Sequence, residues 1–133
     1  KSQLLKLPSF LKRRLELARV YDEAFSNLDN VYPIHNNFRD FSSHHLYVLR
    51  INYKALNTNR AEFMNNLVKE NIITQVHYMP VTSHPYYKSL GYKTSDYPSA
   101  NKFYDEAISI PLYYSLSDAE QKKVINAILS LLS

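Results

Sequence analysis

A histidine and a tyrosine stand together near the middle of the chain. Residues 74–80 read Thr-Gln-Val-His-Tyr-Met-Pro, and a further histidine follows at His84. An imidazole and a phenol can each hydrogen-bond hydroxyl or phosphate oxygens of a ligand. The apolar-polar alternation predicts a strand over 72–78, and the proline after it opens a loop. His77 and Tyr78 are therefore the first side chains to consider for chemistry, although both could simply anchor the strand end.

The other histidines do not suggest a metal site. His35 lies alone in a predicted loop, and the adjacent His44 and His45 would point to opposite sides of a strand. His77 and His84 are separated by two prolines, with no carboxylate or cysteine at ligand spacing. We therefore predict no metal site.

The glycine content excludes several other kinds of site. The chain has 133 residues and one glycine. Phosphate loops and dinucleotide fingerprints need several glycines for close backbone approach, and no serine has the glycine-flanked setting of a hydrolase nucleophile. Nothing marks one lysine as a Schiff-base former, and no phosphate cradle is visible.

Length and composition are those of one globular domain. The absence of cysteine fits a reducing compartment, and no apolar run approaches the ~20 residues of a membrane span. The N-terminal residues lack the apolar stretch of a signal peptide, so we expect a cytoplasmic protein without membrane contact.

Charge and tyrosine content leave a second interpretation open. The net charge is +4, and four basic residues lie on the first predicted helix: Lys12, Arg13, Arg14 and Arg19. A solvated helix face is the ordinary explanation, and we expect no nucleic-acid binding. Twelve tyrosines would suit half-buried surfaces that face a partner. The alternative function is thus a non-enzymatic binding module that recognises an acidic partner through this basic helix.

The elements that must position these residues alternate between helix and strand. Ser9 could cap a first helix reaching about Asn27, and residues 29–43 read as loop. Two patterns are typical of capping boxes, Asn59 with Glu62 and Ser117 with Glu120. Together with the prolines, they predict helices from 59 to 70, from 98 to 107 and from 117 onward. The hydrophobic periodicity predicts strands at 45–51, 72–78 and 108–110. The fold class is therefore α/β, a small sheet of three or four strands packed with helices as an α+β sandwich.

Several segments in this order resemble the C-terminal end of the DegT/StrS-type sugar aminotransferases. They are His45-Leu46-Tyr47-Val48, Arg60 with residues 63–67, His77-Tyr78-x-Pro80, residues 103–113 from Phe103 to Tyr113, and Leu116-Ser117-Asp118-Ala119-Glu120-Gln121. The opening, Gln3 to Leu7 through Arg13-Arg14 and Ala18-x2-Tyr21, resembles the segment that follows the catalytic lysine region of the family. The form around His77 and His84 is most similar to the amino-sugar transaminases of the pseudaminic-acid pathway.

The resemblance implies a function that the residues alone do not give. It implies that 1–133 is a single domain, the small C-terminal domain of a fold-type-I aminotransferase, with 1–28 as the helix that connects it to an N-terminal domain binding pyridoxal phosphate (PLP). The parent would be a homodimer that moves an amino group from an amino acid, with glutamate as the expected donor, to a nucleotide-linked keto-sugar in polysaccharide biosynthesis. His77, Tyr78 and His84 would contact the nucleotide-sugar. The chain itself would hold no catalytic residue, bind no PLP and be inactive alone.

Two positions depart from the family pattern. Many relatives carry a second histidine two residues after the motif's proline, where this chain has Thr82, and Asn101 stands where an acidic residue is usual. The first departure bears on the substrate rather than on the family.

Overall fold

Five α-helices and a three-stranded sheet make up the described part of the chain. The computed structural model describes residues 2–34 and 41–132. The helices are α1 (Ser2–Phe25), α2 (Arg60–Lys69), α3 (Pro85–Ser89), α4 (Pro98–Glu106) and α5 (Asp118–Leu132). The strands are β1 (Val31–Pro33), β2 (Tyr47–Ile51) and β3 (Ala107–Ile110), in the spatial order β1-β2-β3. The predicted small sheet packed with helices is confirmed, with three strands, all antiparallel.

Helix α1 begins seven residues earlier than the sequence predicts, so the proposed Ser9 cap is wrong. Leucine and lysine propagate a helix well, and the helix therefore continues through Pro8 at the loss of one backbone hydrogen bond. The Ser9 hydroxyl lies inside the helix and donates to the carbonyl of Lys6 at 2.7 Å. Only the C-terminal half of the helix is buried, through Leu17, Ala18, Tyr21 and Phe25.

The strand predicted at 45–51 is present in the centre of the sheet, and its bounds differ from expectation. β2 begins at Tyr47 rather than at His45 and pairs with a neighbour on each side. The predicted loop at 29–43 is wrong at its start, because Val31–Pro33 pairs with β2 as an edge strand. Proline is tolerated there because an edge strand can leave one side unpaired. His35 lies outside the described residues.

The predicted strand at 72–78 is not a strand of the sheet. A single antiparallel bridge joins Gln75 to Ser109, with the Gln75 amide donating to the Ser109 carbonyl at 3.0 Å and the reverse bond at 2.7 Å. The alternating burial is nevertheless present, because Ile72 and Thr74 are buried while Ile73 and Gln75 are exposed. The segment therefore lies along the outer edge of β3 without a continuous ladder. Short helical turns follow it, at Val81–Ser83, α3 and Thr94–Asp96, where the sequence suggested only loop.

The first residue of each predicted capping box caps its helix, and the reciprocal bond is present at the second, Ser117 with Glu120. The Glu62 amide donates to the Asn59 side-chain oxygen at 2.9 Å, and the Glu120 amide donates to the Ser117 hydroxyl oxygen at 3.2 Å. The Glu120 carboxylate in turn accepts from the Ser117 amide at 2.8 Å. These bonds satisfy amides that the first turn of a helix cannot pair internally, and they fix where α2 and α5 begin.

The core lies on one face of the sheet. Tyr47, Leu49 and Ile51 of β2 point toward α1, and the rings of Tyr47 and Tyr21 lie 4.9 Å apart. α5 closes the same core through Val124 and Ile128. The buried Gln121 side chain of α5 donates to the Leu17 carbonyl of α1 at 2.7 Å, which ties the two helices together.

Candidate functional site: the half-open face of the sheet

The second face of the sheet is only partly covered. Residues paired across antiparallel strands share a face, so Val48 of β2 shares one with its partner Ser109 and, beyond it, with Gln75. Side chains alternate along an extended segment, which places His77 on this face as well. Val48 and His77 are half-buried and Gln75 is exposed. We call this surface the half-open face; it is where the predicted site residue His77 lies.

A hydrogen bond fixes the His77 ring. Its Nδ1 atom lies 2.8 Å from the hydroxyl oxygen of Ser109, which is 5% exposed. The backbone of Ser109 is bonded to the backbone of Gln75, two residues before His77. The side-chain bond then holds the His77 ring. The bond occupies Nδ1 and leaves Nε2 available to a ligand.

Tyr78 extends from the same point into solvent. Its ring meets the His77 ring edge-on, with centroids 4.7 Å apart and an angle of 83° between the planes. The side chain is 75% exposed, and the peptide bond between the two residues is cis. His77 and Tyr78 are thus in contact, the first held by a hydrogen bond and the second projecting into solvent.

The third predicted residue, His84, follows this pair along the chain. It is exposed and occupies the position before α3, and within the described residues no hydrogen bond or ring contact joins it to His77. Its surroundings are aromatic. Tyr86, Tyr87 and Tyr92 form a chain of edge-on contacts with centroids 5.3 and 6.1 Å apart, which we call the tyrosine cluster.

The two main grooves among the described residues lie away from the predicted site residues. A groove between α2 and α5 is lined mainly by polar and basic side chains, including Lys69, Lys122 and Lys123. A second groove opens between α4 and the loop before α2. Neither groove includes His77, Tyr78 or His84. The half-open face is therefore a surface that other protein atoms would have to complete to make a pocket.

Two basic residues of α1 are engaged within the domain. Arg13 donates to the Asp118 carboxylate and to the Leu116 carbonyl, each at 2.7 Å. Arg14 donates to the carbonyls of His44 and His45 at 3.1 and 3.3 Å. These guanidinium groups hold α5 and the approach to β2 against α1. They weaken the alternative in which the basic helix recognises an acidic partner.

Sequence reasoning missed Ser109 and a partly buried ion pair on the neighbouring residues of the sheet. Arg50 of β2 donates to the Glu106 carboxylate at 2.9 Å from Nε and 2.5 Å from a terminal nitrogen, which closes the far end of the half-open face against α4. Ser109 gave a signal that could have been used, because it is the one polar residue of β3.

Among the described residues, no group of three His, Asp or Glu side chains is placed to hold a metal ion, and no helix is long and apolar enough to cross a membrane.

The comparisons with known proteins define the family. Residues 1–129 match the sequence profile of the DegT/DnrJ/EryC1/StrS aminotransferase family. The chain belongs to this family.

Two relatives show which members it is similar to. The spore coat polysaccharide biosynthesis protein SpsC of Bacillus subtilis is 40% identical over 130 residues, covering 95% of this chain and 33% of SpsC. A Helicobacter pylori UDP-4-amino-4,6-dideoxy-N-acetyl-beta-L-altrosamine transaminase is 32% identical over 128 residues, covering 96% of this chain and 34% of that protein. The chain therefore spans about a third of the length of the curated relatives it matches.

Solved structures agree on the fold. Helicobacter pylori PseC, an aminotransferase involved in the biosynthesis of pseudoaminic acid, superposes with a TM-score of 0.87 at 30% identity, over 98% of this chain and 35% of PseC. Spr1654 of Streptococcus pneumoniae gives 0.87 at 32% identity, over 98% of this chain and 33% of its own, and has also been solved in PMP and PLP forms. The predicted resemblance to sugar aminotransferases, including the pseudaminic-acid branch, is confirmed.

The described residues do not by themselves fit a PLP site. PLP requires a lysine for its carbonyl, a cradle for its phosphate and an acidic partner for its ring nitrogen. Every described lysine is solvent-exposed, and none lies in a desolvated pocket. No described lysine therefore has the desolvated surroundings that favour a Schiff base with PLP.

Proposed function

We propose that residues 1–133 form the small domain of a PLP-dependent nucleotide-sugar aminotransferase, and that the remaining part of the enzyme carries the cofactor. Family membership and the superposition on PseC support this proposal. The chain covers about a third of each relative, which fits an enzyme whose cofactor is bound by another domain. In this proposal 1–28 connects the domain to the cofactor-binding part, and the half-exposed α1 provides the surface for that contact.

The proposed task of this domain is to form one wall of the sugar site. His77 would hydrogen-bond the nucleotide-sugar through Nε2, and Tyr78 would lie against it, while His84 and the tyrosine cluster extend the wall. The observation that carries this assignment is the His77 ring, held at 2.8 Å by a buried hydroxyl on the half-open face. A ring held in advance loses little freedom when a ligand binds, which favours affinity.

The rest of the proposal concerns the whole enzyme. The amino donor is an amino acid, with glutamate as our first choice, and the acceptor is a keto-sugar linked to a nucleotide. The names of the relatives, one acting on a UDP-linked amino sugar and one in polysaccharide biosynthesis, support this substrate class. We further propose a homodimer in the cytoplasm, which a chain without cysteine fits.

Amine transfer tests this function directly. The full-length enzyme containing this chain would be supplied with PLP, glutamate labelled with nitrogen-15, and a nucleotide-linked 4-keto-sugar. We expect the label to appear in the sugar product by mass spectrometry, and not in the free keto-sugar without its nucleotide. A panel of amino donors that transfers no label to any nucleotide-linked keto-sugar would exclude the proposed function.

A further inference from the structure

Ser109 is an unusual residue for its strand. β3 reads Ala-Ile-Ser-Ile, and all four residues are buried. The backbone amide and carbonyl of Ser109 are both bonded to Gln75, so they need nothing from its side chain. The hydroxyl has one hydrogen-bond partner among the described residues, His77 Nδ1 at 2.8 Å.

The direction of this bond follows from burial. A serine hydroxyl has one proton to donate, and a buried donor without an acceptor carries a desolvation cost of about 1–3 kcal/mol. Donation to Nδ1 satisfies that proton, whereas acceptance from an Nδ1–H group would leave it without an acceptor. A neutral imidazole carries one N–H group, so an Nδ1 atom that accepts leaves the proton on Nε2.

We propose that Ser109 is a positioning residue that holds His77 in the Nε2–H tautomer, so that His77 presents a hydrogen-bond donor on the half-open face. The group it binds must then be an acceptor, such as a phosphate, hydroxyl or carbonyl oxygen. Identifying that oxygen as part of the nucleotide-sugar rests on the function proposed above. The tautomer and its dependence on Ser109 do not.

The tautomer can be read without any substrate. Long-range proton–nitrogen correlation spectra of the nitrogen-15 histidine-labelled chain distinguish Nε2–H from Nδ1–H, at about pH 8 where an ordinary imidazole is neutral. His77 is assigned by the signal lost in His77→Gln. We expect Nε2–H in the parent chain and a mixture of tautomers in Ser109→Ala, with Ser109→Thr restoring the parent pattern because it keeps the hydroxyl.

A neighbouring threonine supplies the matched control. Thr74 is buried in the same segment as His77, and its hydroxyl has no hydrogen-bond partner among the described residues. Thr74→Val should therefore leave the His77 signals unchanged. An Nδ1–H tautomer in the parent chain, or a Ser109→Ala spectrum identical to the parent, would overturn the proposal. If Ser109→Ala fails to fold, as judged by the remaining histidine signals, the parent tautomer alone decides.

Kinetics in the full-length enzyme separate this proposal from the function itself. Ser109→Ala should raise KM for the nucleotide-sugar by about two- to tenfold, the worth of a neutral hydrogen bond, with KM for the amino donor unchanged and rescue by Ser109→Thr. An unchanged sugar KM in Ser109→Ala, while His77→Ala raises it, would refute the positioning role. If His77→Ala changes nothing and the tautomer is as expected, the proposed substrate contact fails and the role of Ser109 in holding the ring stands.

Discussion

His77 is the side chain on which the substrate assignment depends. We expect His77→Ala in the full-length enzyme to raise KM for the nucleotide-sugar about ten- to hundredfold, because a hydrogen bond to a charged oxygen is worth roughly 1.5–3 kcal/mol. KM for the amino donor and PLP binding should be unchanged, since in the proposed function another part of the enzyme binds the cofactor. Steady-state kinetics for each substrate measure the difference.

His45 provides the control for this experiment. It is an exposed histidine whose backbone carbonyl, not its ring, accepts from Arg14. His45→Ala should leave both KM values at the parent level. A His77 variant that melts at a lower temperature and weakens both substrates equally would show that the residue only anchors the edge of β3.

The residue level also shows what a sequence can and cannot predict. The pair His77–Tyr78 was visible because two residue types with ligand chemistry are adjacent before a proline. Its partner Ser109 was not, because the contact joins residues 32 positions apart and exists only in one register. The Gln75–Ser109 bridge sets that register, and no local pattern specifies it.

At the level of elements, local signals succeeded where a short interaction decides the boundary. Both capping boxes join residues three positions apart, and both helices begin where they predict. Prediction failed where tertiary contacts decide. Val31–Pro33 is a strand only because β2 lies beside it and pairs with it. The alternating segment 72–78 is not a strand because it pairs with β3 through a single bridge.

The cap of α2 gives a stability prediction. Asn59→Ala removes the side-chain oxygen that accepts from the Glu62 amide, so it should lower the free energy of unfolding by about 1 kcal/mol and the Tm by roughly 3–5 °C. Asn65→Ala, on the exposed side of the same helix, should be neutral or slightly stabilising because alanine favours helix. Urea denaturation of the chain would distinguish them, and equal midpoints would contradict the role of the cap.

The cap of α5 gives a pH prediction. The Ser117 hydroxyl and then the Ser117 amide donate to the Glu120 carboxylate, and these bonds lower the pKa of Glu120. A lowered folded-state pKa means that the ionised group stabilises the fold fully above the unfolded value of about 4.3, and that this contribution is lost as the pH falls through the folded-state pKa.

Glu120→Gln tests the sign of this effect. The Tm difference between parent and variant should be constant from about pH 5 to 7 and should shrink below about pH 4, where the parent carboxylate becomes protonated. Glu23→Gln removes a carboxylate from an exposed site on α1 and controls for the loss of charge alone. A difference that grows on acidification would show that the cap does not favour the ionised form.

At the scale of the whole molecule, the described residues include exposed apolar and aromatic surfaces. The first turns of α1 expose Leu4 at 72% and Leu5 at 78%, and in the tyrosine cluster Tyr86 is 67% exposed. Exposed apolar patches usually mark a contact with other protein. Both surfaces suit the proposed place of this domain beside a cofactor-binding part. The sequence hinted at them only through its twelve tyrosines, because exposure depends on the packing of the whole sheet.

The same arrangement predicts how the chain behaves with PLP. A lysine becomes a selective Schiff-base former when burial or a neighbouring charge lowers its pKa, and every described lysine is exposed to solvent. Incubating the 133-residue chain with PLP and then borohydride should therefore label several lysines weakly, without a stoichiometric adduct at one position and without transaminase activity. The full-length enzyme should give one dominant labelled lysine outside residues 1–133, as peptide mass spectrometry would show. A single lysine of this chain trapped in stoichiometric yield would place the cofactor within this domain. It would contradict our proposal that another part of the enzyme binds PLP.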